Sequence, residues 1–288
     1  MKRNDMEWAV MALLLAATSC QSGKNPQTEK TAADTTEVVK TEEKVMDAAA
    51  PVEAKKLQWK DITVEAKAPG DYNVSYSLKT PYPVDGPEEQ VHFLRKVICE
   101  MADENIKRYD RDGIQKVAQD FVKENLAEVK SMMDEGEDPS APYLSQTFEA
   151  TIDIVESNDR YISIHKNSYA YTGGAHGMPF DGTTTFDLKR QKELDWKDLF
   201  IKGYEKQLAP MVKKAVLKQH YEDTNYSDGS SMEFALPGMA PALTAKGMKF
   251  QYTAYEIDCY AAGMPSCILP YKDLMPLLTP EAKELIGK

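Results

Sequence analysis

The chain has 288 residues, of which 42% are hydrophobic and 28% charged, a composition that is ordinary for a globular protein. Acidic residues outnumber basic ones by 46 to 35, which gives a formal net charge of −11. Because nucleic acids and anionic lipid surfaces bind to basic patches, this balance argues against both as ligands. It favours cationic proteins or peptides through electrostatic steering, and it is equally consistent with an acidic surface that only keeps an exported protein in solution.

Residues 1–19 have the features of a bacterial signal peptide: a short basic start followed by the apolar run Trp8–Ala17. This run is too short to cross a hydrocarbon core of roughly 30 Å, which needs about 20 apolar residues. It ends in Ala17-Thr18-Ser19-Cys20, which resembles a bacterial lipobox, whose cysteine is acylated and becomes the first residue. We therefore expect lipidated Cys20 to anchor the protein in a membrane. The alternative is ordinary cleavage that leaves Cys20 as a free thiol.

Residues 20–56 consist mainly of Thr, Ala, Glu and Lys, with almost no aromatic residues. Such a segment cannot bury enough apolar surface to offset the entropy lost on ordering it, so it predicts a flexible tether. Its end-to-end distance would be roughly 30–36 Å. Since the leader is neutral and the tether carries −1, a charge of −10 belongs to the folded part. The expected location is the cell envelope, facing the periplasm or the cell exterior.

Residues 57–144 predict a small α+β domain. Two short strands, 61–67 and 72–79, flank an Ala-Pro-Gly-Asp turn, and the prolines that follow are expected to end the second strand. Helices around 91–101 and 113–133 carry apolar residues at intervals of three and four. Such an apolar stripe has to pack on another layer, which is here the sheet.

Residues 145–288 predict a second α+β domain. The segments 147–155 and 160–168 alternate in polarity as an antiparallel hairpin with one buried face does. Further elements are predicted in this order: a strand at 183–188, a short helix after Asp195, a helix around 208–216, a polar loop at 221–241, strands at 248–258 and 267–271, and a helix after Thr279. The whole pattern predicts an α+β fold with antiparallel sheets, segregated helices and two subdomains.

Four segments of the second half form an ordered set: Tyr169–Gly177, Phe186–Leu188 with Leu194–Phe200, Tyr255–Ile257 with Tyr260–Gly263, and Ile268–Tyr271. In that order they resemble the extracellular domain of the RsiV-type anti-sigma factors, which is also found beside polysaccharide deacetylase domains. The resemblance covers about residues 145–278, and the preceding unit resembles, more loosely, the smaller domain that often accompanies it. RsiV-type proteins bind lysozyme with this region. The resemblance therefore implies a binding module for a secreted, lysozyme-like basic protein or for an envelope glycan such as a peptidoglycan fragment.

The irregular connections of this half supply the candidate ligand contacts. Glycines allow positive φ and close backbone approach, and aromatic rings serve as protein-binding anchors or stack on sugar rings. The candidates from the 169–177 turn and the segment around the second cysteine are Tyr169, Tyr171, Gly173, Gly174, His176, Tyr255 and Tyr260. The 221–241 loop and the 259–267 loop are expected to contribute to the same surface.

No motif in the sequence predicts a catalytic centre, a metal site or a cofactor, because the cysteines and histidines lack zinc spacing and the serines lack a nucleophile elbow. One catalytic alternative is an envelope hydrolase in which His176 works with a carboxylate such as Asp187. Another alternative is a structural envelope lipoprotein without a ligand. Cys259 and Cys267 flank a seven-residue loop and form the candidate disulfide, whereas Cys99 lies on an apolar helical stripe.

Overall fold

A six-stranded sheet is the centre of the structure, a computed structural model that describes residues 55–138, 141–222 and 234–288. Its strands are neighbours in chain order: β1 (Gln58–Lys67), β2 (Val74–Asp85), β3 (Gln146–Ser157), β4 (Tyr161–Thr172), β5 (Met178–Asp187) and β6 (Lys192–Glu193). The pairs are antiparallel except for β2 and β3, which run parallel. Buried and exposed residues alternate along β1 to β3, so one face of the sheet is covered and the other faces solvent.

Two helices, α1 (Glu88–Ala102) and α2 (Arg111–Asp134), cover the buried face. They also form the crossover that a parallel pair of strands requires between β2 and β3. Asp110 begins α2, and its side chain accepts a hydrogen bond from the backbone N–H of Gly113 (2.9 Å). The last turn of α1 has no basic residue of its own. Lys166 of β4 supplies the charge instead, because its Nζ donates to the carbonyl oxygen of Met101 (2.6 Å).

A smaller antiparallel sheet and four further α-helices complete the described part of the chain. In chain order they are α3 (Trp196–Leu199), α4 (Glu205–Gln219), β7 (Ala242–Thr244), β8 (Gly247–Gln251), β9 (Ser266–Leu269), α5 (Tyr271–Leu274) and α6 (Pro280–Leu285). They share a second hydrophobic cluster, in which Phe250 and Leu208 are fully buried. The free edge of β9 is closed by the side-chain amide of Gln219, which donates to the carbonyl of Ile268 (3.1 Å) and accepts from its N–H (2.8 Å).

Buried hydroxyl groups join the two sheets. Ser163 of β4 and Thr185 of β5 lie on the face opposite α1 and α2, and their hydroxyl oxygens are 2.8 Å apart. Ser163 donates to the carbonyl of Leu243 in β7 (2.6 Å), and the N–H of Leu243 donates to Thr185 (2.8 Å). The small sheet therefore packs on one end of this face, which we call the outer face, and leaves the rest of it open.

The α+β fold class predicted from the sequence is confirmed, but three local predictions are wrong. The β2–β3 pair is parallel rather than antiparallel. β2 continues through Pro81 and Pro83, because beyond Lys79 it has only β1 as a neighbour and its other edge needs no N–H donors. β8 ends at Gln251 instead of continuing to residue 258, because a turn begins at Thr253.

The described part of the chain contains no helix of the length and apolar content that crossing a membrane requires. The predicted boundary between subdomains, near residue 144, lies where the chain enters the same large sheet again through β3. The described residues belong to one compact unit. The predicted signal peptide, Cys20, nearly all of the tether and residues 223–233 of the polar loop lie outside the described residues.

Candidate functional site

The turn between β4 and β5 begins with two glycines in a backbone conformation that favours glycine over other residues. Gly173 has φ of 92° and Gly174 has φ of 90°, a region that side-chain-bearing residues rarely occupy. The hydroxyl of Tyr171 donates to the carbonyl of Gly174 (2.9 Å) and ties the turn to its own strand. Tyr171, Gly173 and Gly174 therefore shape the turn, and the residues after them reach the surface.

Gly177, which follows the turn, packs directly against the side chain of Tyr169. Its N–H donates to the hydroxyl oxygen of Tyr169 (3.0 Å). A Cβ at position 177 would lie 2.3 Å from Cζ of Tyr169 and 2.7 Å from the carbonyl oxygen of Ala170, which is far inside van der Waals contact. Only glycine fits there, so this residue fixes the ring of Tyr169 at the end of β4.

His176 is held by hydrogen bonds at both ring nitrogens. Its Nδ1 lies 3.0 Å from the carbonyl oxygen of Gly177, and its Nε2 lies 3.2 Å from the hydroxyl of Tyr255. Because a carbonyl oxygen can only accept, Nδ1 carries a proton, and in the neutral ring Nε2 accepts from Tyr255. The imidazole also stacks on the ring of Tyr260, with centroids 4.1 Å apart and planes 25° apart.

Tyr255 comes from a second turn, between β8 and β9, and has an unusual backbone. Its φ is 68°, a left-handed conformation that costs about 1–2 kcal/mol for a residue with a side chain. Glu256 holds this turn, because its carboxylate accepts hydrogen bonds from the N–H groups of Thr253 (2.7 Å) and Gly238 (2.7 Å). The surrounding contacts thus force Tyr255 outward, and 51% of it is exposed.

Together these two turns form an aromatic cluster, which we define as Tyr169, His176, Tyr255 and Tyr260. The rings of Tyr255 and Tyr260 have centroids 5.7 Å apart, and the hydroxyl of Tyr260 donates to the carbonyl of Gly177 (3.1 Å). Tyr169 is 41% exposed. All seven candidate contacts thus lie in these two adjoining turns or in the end of β4 that leads into the first of them. The sequence did not single out Gly177 or Glu256, whose importance depends on contacts far along the chain.

The proposed pairing of His176 with Asp187 is wrong. Asp187 lies at the far end of β5, nine residues beyond Met178, which corresponds to about 30 Å along the strand. It is buried, and its carboxylate accepts from the N–H groups of Lys189 (2.9 Å) and Arg190 (2.7 Å) and from Nε of Arg190 (2.6 Å). Asp187 therefore closes the turn into β6.

The predicted disulfide is also absent, since Cys259 and Cys267 are both free thiols in the part of the chain that the structure describes. Cys259 is exposed at the start of the segment that carries Tyr260. Cys267 points inward from β9, with its Sγ 3.9 Å from the carbonyl oxygen of Val212 in α4. Burial raises the pKa of this thiol to about 12, so it remains a protonated, apolar core group.

A second polar group lies on the outer face where the small sheet meets it. Nε2 of His165 is 3.2 Å from Oδ2 of Asp181, and Nζ of Lys249 is 3.6 Å from Oδ1 of the same carboxylate. The hydrogen bond with His165 is the main reason that the pKa of Asp181 lies below its usual value. Within the described ranges, no group of three or more His, Cys, Asp or Glu side chains could hold a metal ion.

Two family models match separate parts of the chain. A family model described as deacetylase PdaC matches residues 95–179, and a model described as a protein of unknown function, DUF3298, matches residues 197–272. His176 lies near the end of the first match, and Tyr255 and Tyr260 lie in the second. The cluster is thus built from both matched regions. No curated protein matches the sequence.

Two solved structures of DUF3298 family proteins share the fold. One from Bacteroides fragilis has a TM-score of 0.70 and 19% identity, over 82% of this chain and 99% of the other. One from Pseudomonas aeruginosa has a TM-score of 0.52 and 19% identity, over 80% of this chain and 97% of the other. The finer resemblance to RsiV-type proteins stays a prediction. Residues 95–179 thus match the PdaC model, residues 197–272 match the DUF3298 model, and the chain has the fold of the solved DUF3298 proteins.

Proposed function

We propose that the protein is a binding module of the cell envelope that recognises a secreted protein through the aromatic cluster. The observation that carries this proposal is the exposure of Tyr169, at the end of β4, and of Tyr255, on a turn held by Glu256. Tyrosine offers a large contact area and a hydrogen-bonding hydroxyl at little cost in side-chain entropy, which is why it is enriched at protein interfaces. A cluster fixed before binding loses less entropy on binding than a mobile loop does.

The contacts of His176 favour binding over acid–base catalysis. A general base needs a free ring nitrogen near the substrate, and an acidic partner normally orients the imidazole. Here the two ring nitrogens are engaged by the Gly177 carbonyl and the Tyr255 hydroxyl, and one ring face is covered by Tyr260. The imidazole thus connects the two turns through these contacts and holds the hydroxyl of Tyr255 in place.

An envelope glycan, such as a peptidoglycan fragment, is the second candidate ligand. The stacked pair of His176 and Tyr260 supports it, because the apolar face of a sugar ring can lie on an aromatic surface of this kind. Anchoring through Cys20 belongs to the same proposal. A Cys20→Ser variant is expected to leave the membrane fraction, and its retention there would argue against the lipid anchor.

Calorimetric titration with lysozyme and with peptidoglycan fragments tests the binding role. Tyr255→Ala is expected to weaken binding at least tenfold, which corresponds to about 1.4 kcal/mol. Ile201→Ala is the matched control, because it removes a side chain of similar exposure elsewhere on the surface. Equal affinities for the two variants, or no binding of either ligand to the unaltered protein, would contradict the proposal.

A further inference from the structure

Much of the outer face of the large sheet is exposed between β1 and β4. Alternate residues of these strands point to this side, and those near its centre are small and polar: Ser75, Ser77, Thr147, Thr151 and Asn167. An antiparallel sheet with one solvated face is common, but its exposed positions usually carry long charged side chains. Short hydroxyl and amide side chains next to tyrosines are instead the composition of adaptable protein-binding surfaces.

The charges on this face are predominantly negative. The ionisable residues that β1 to β3 place on the open part of this face are Asp61, Glu65, Glu149, Asp153, Lys67 and Lys79, four carboxylates against two ammonium groups. Glu156 also points to this side, but it lies opposite Ser163, where the small sheet packs. On β5, Asp181 is already compensated by Lys249. The uncompensated charge therefore lies in the open part of the face and is negative.

The carboxylates near the centre of this face have no ionic partner among the described residues. On the opposite side of the molecule, some acidic residues have a basic neighbour four positions away, as in Lys116–Asp120 (2.7 Å) and Arg108–Asp112 (2.7 Å), whereas others, such as Glu128, are exposed and pair with no described residue. On the outer face, Glu149 and Asp153 are exposed and make no ion pair with any described residue. Their charges are thus available to a cationic group brought by another molecule.

The open face and the aromatic cluster are continuous. Glu149 of β3 lies directly opposite Tyr169 of β4 in the register, so the acidic strand positions adjoin the tyrosine. Four strands about 4.8 Å apart span roughly 14 Å, and the seven residues from Asp61 to Lys67 span about 20 Å. This area is smaller than the roughly 800 Å² that one partner contributes to a stable complex, so the aromatic cluster has to supply part of the contact.

We infer that the open outer face, centred on Glu149 and Asp153, docks the cationic surface of the secreted partner whose contact with the aromatic cluster we proposed above. The inference rests on that proposed function and names the partner's chemistry. The carboxylates accelerate the encounter with the partner and fix its orientation on the face. The tyrosines supply the side chains that are buried in the complex.

Matched charge reversals in the full chain distinguish an effect of this surface on binding from an effect of the protein's net charge. The double variant Glu149→Lys/Asp153→Lys reverses two carboxylates of the outer face. The control Glu104→Lys/Glu128→Lys makes the same change in net charge at exposed positions of the α1–α2 connection and α2. With lysozyme as the basic probe at low salt, we expect at least tenfold weaker binding for the first and less than threefold for the second. At 1 M salt, where screening acts within about 3 Å, the difference should largely vanish.

The outcomes distinguish this inference from the proposal it rests on. If both double variants weaken binding equally while Tyr255→Ala still weakens it tenfold, the docking face is refuted and the aromatic site stands. If the unaltered protein binds peptidoglycan fragments but not lysozyme, the cationic partner is likewise refuted. If Tyr255→Ala has no effect while the outer-face reversal does, the aromatic site fails and the charged face stands.

Discussion

Replacing Gly177 by Ala is expected to lower the free energy of unfolding by about 2 kcal/mol, because the structure has no space for the added methyl group. The new Cβ would lie 2.3 Å from Cζ of Tyr169, 2.4 Å from its hydroxyl oxygen and 2.7 Å from the carbonyl oxygen of Ala170. Two of these overlaps can be relieved if the ring of Tyr169 swings into solvent. The third involves backbone and requires a shift of the β4 strand itself.

The magnitude follows from two costs. Overpacking a fitted position costs about 1–3 kcal/mol, and loss of the hydrogen bond from Gly177 N–H to Tyr169 costs about 1 kcal/mol. Since Tyr169 is partly exposed and can move, the lower part of the first range applies. A Cβ at Gly174 meets nothing within 4 Å, so Gly174→Ala carries only the strain of its φ of 90°, about 1–2 kcal/mol.

Urea unfolding of the single and double variants of a double-mutant cycle measures the interaction energy between positions 169 and 177. Because Tyr169→Ala removes the two ring overlaps in advance, Gly177→Ala should cost about 1 kcal/mol less in that background. Gly174→Ala should cost the same in both backgrounds. Strict additivity of Gly177→Ala with Tyr169→Ala, or a loss below 0.5 kcal/mol for Gly177→Ala alone (roughly the range of neutral surface changes), would refute the reasoning.

Two further predictions concern the framework that positions the cluster. Gln219→Ala removes both hydrogen bonds to the edge of β9 at Ile268 and should lower the free energy of unfolding, measured in urea, by about 1–2 kcal/mol. A change within experimental error would show that this strand edge does not need the side chain of Gln219. The lowered pKa of Asp181, due mainly to its hydrogen bond with His165, means that its ionised form stabilises the fold. This contribution is present above the ordinary carboxyl pKa and is lost as pH falls through the lower folded value. As pH falls below the ordinary carboxyl pKa, Asp181→Asn should therefore lose less stability than the unaltered protein does, and equal slopes would contradict the assignment.

The main helices and strands could be predicted from the sequence because their periodicities are strong. The apolar stripes of α1 and α2 and the alternation of β3 and β4 each follow from local burial. The direction of the β2–β3 pair could not be predicted, since side chains alternate in the same way in parallel and antiparallel strands. The extension of β2 through Pro81 and Pro83 depends on which edge of the strand lacks a neighbour, which is a property of the assembled sheet.

The membership of the aromatic cluster was predicted, but its construction was not. His176, Tyr255 and Tyr260 were candidates because they are imidazole or aromatic side chains in irregular connections, and the structure joins them by a stacking contact and a hydrogen bond across 79 residues of sequence. The left-handed backbone of Tyr255 had no local sign, because it depends on Glu256 reaching the N–H of Gly238. The disulfide prediction failed because spacing alone does not reveal that Cys267 points into the core.

Hydroxyl-radical footprinting of the protein with and without bound lysozyme or peptidoglycan fragment tests most directly whether the aromatic cluster contacts the ligand. The proposed role predicts that oxidation of the exposed side chains Tyr255 and Tyr169 falls on binding, while that of Val84 and Ile201 is unchanged. Protection confined to the helices, with Tyr255 and Tyr169 oxidised as fast in the complex as in the free protein, would contradict it.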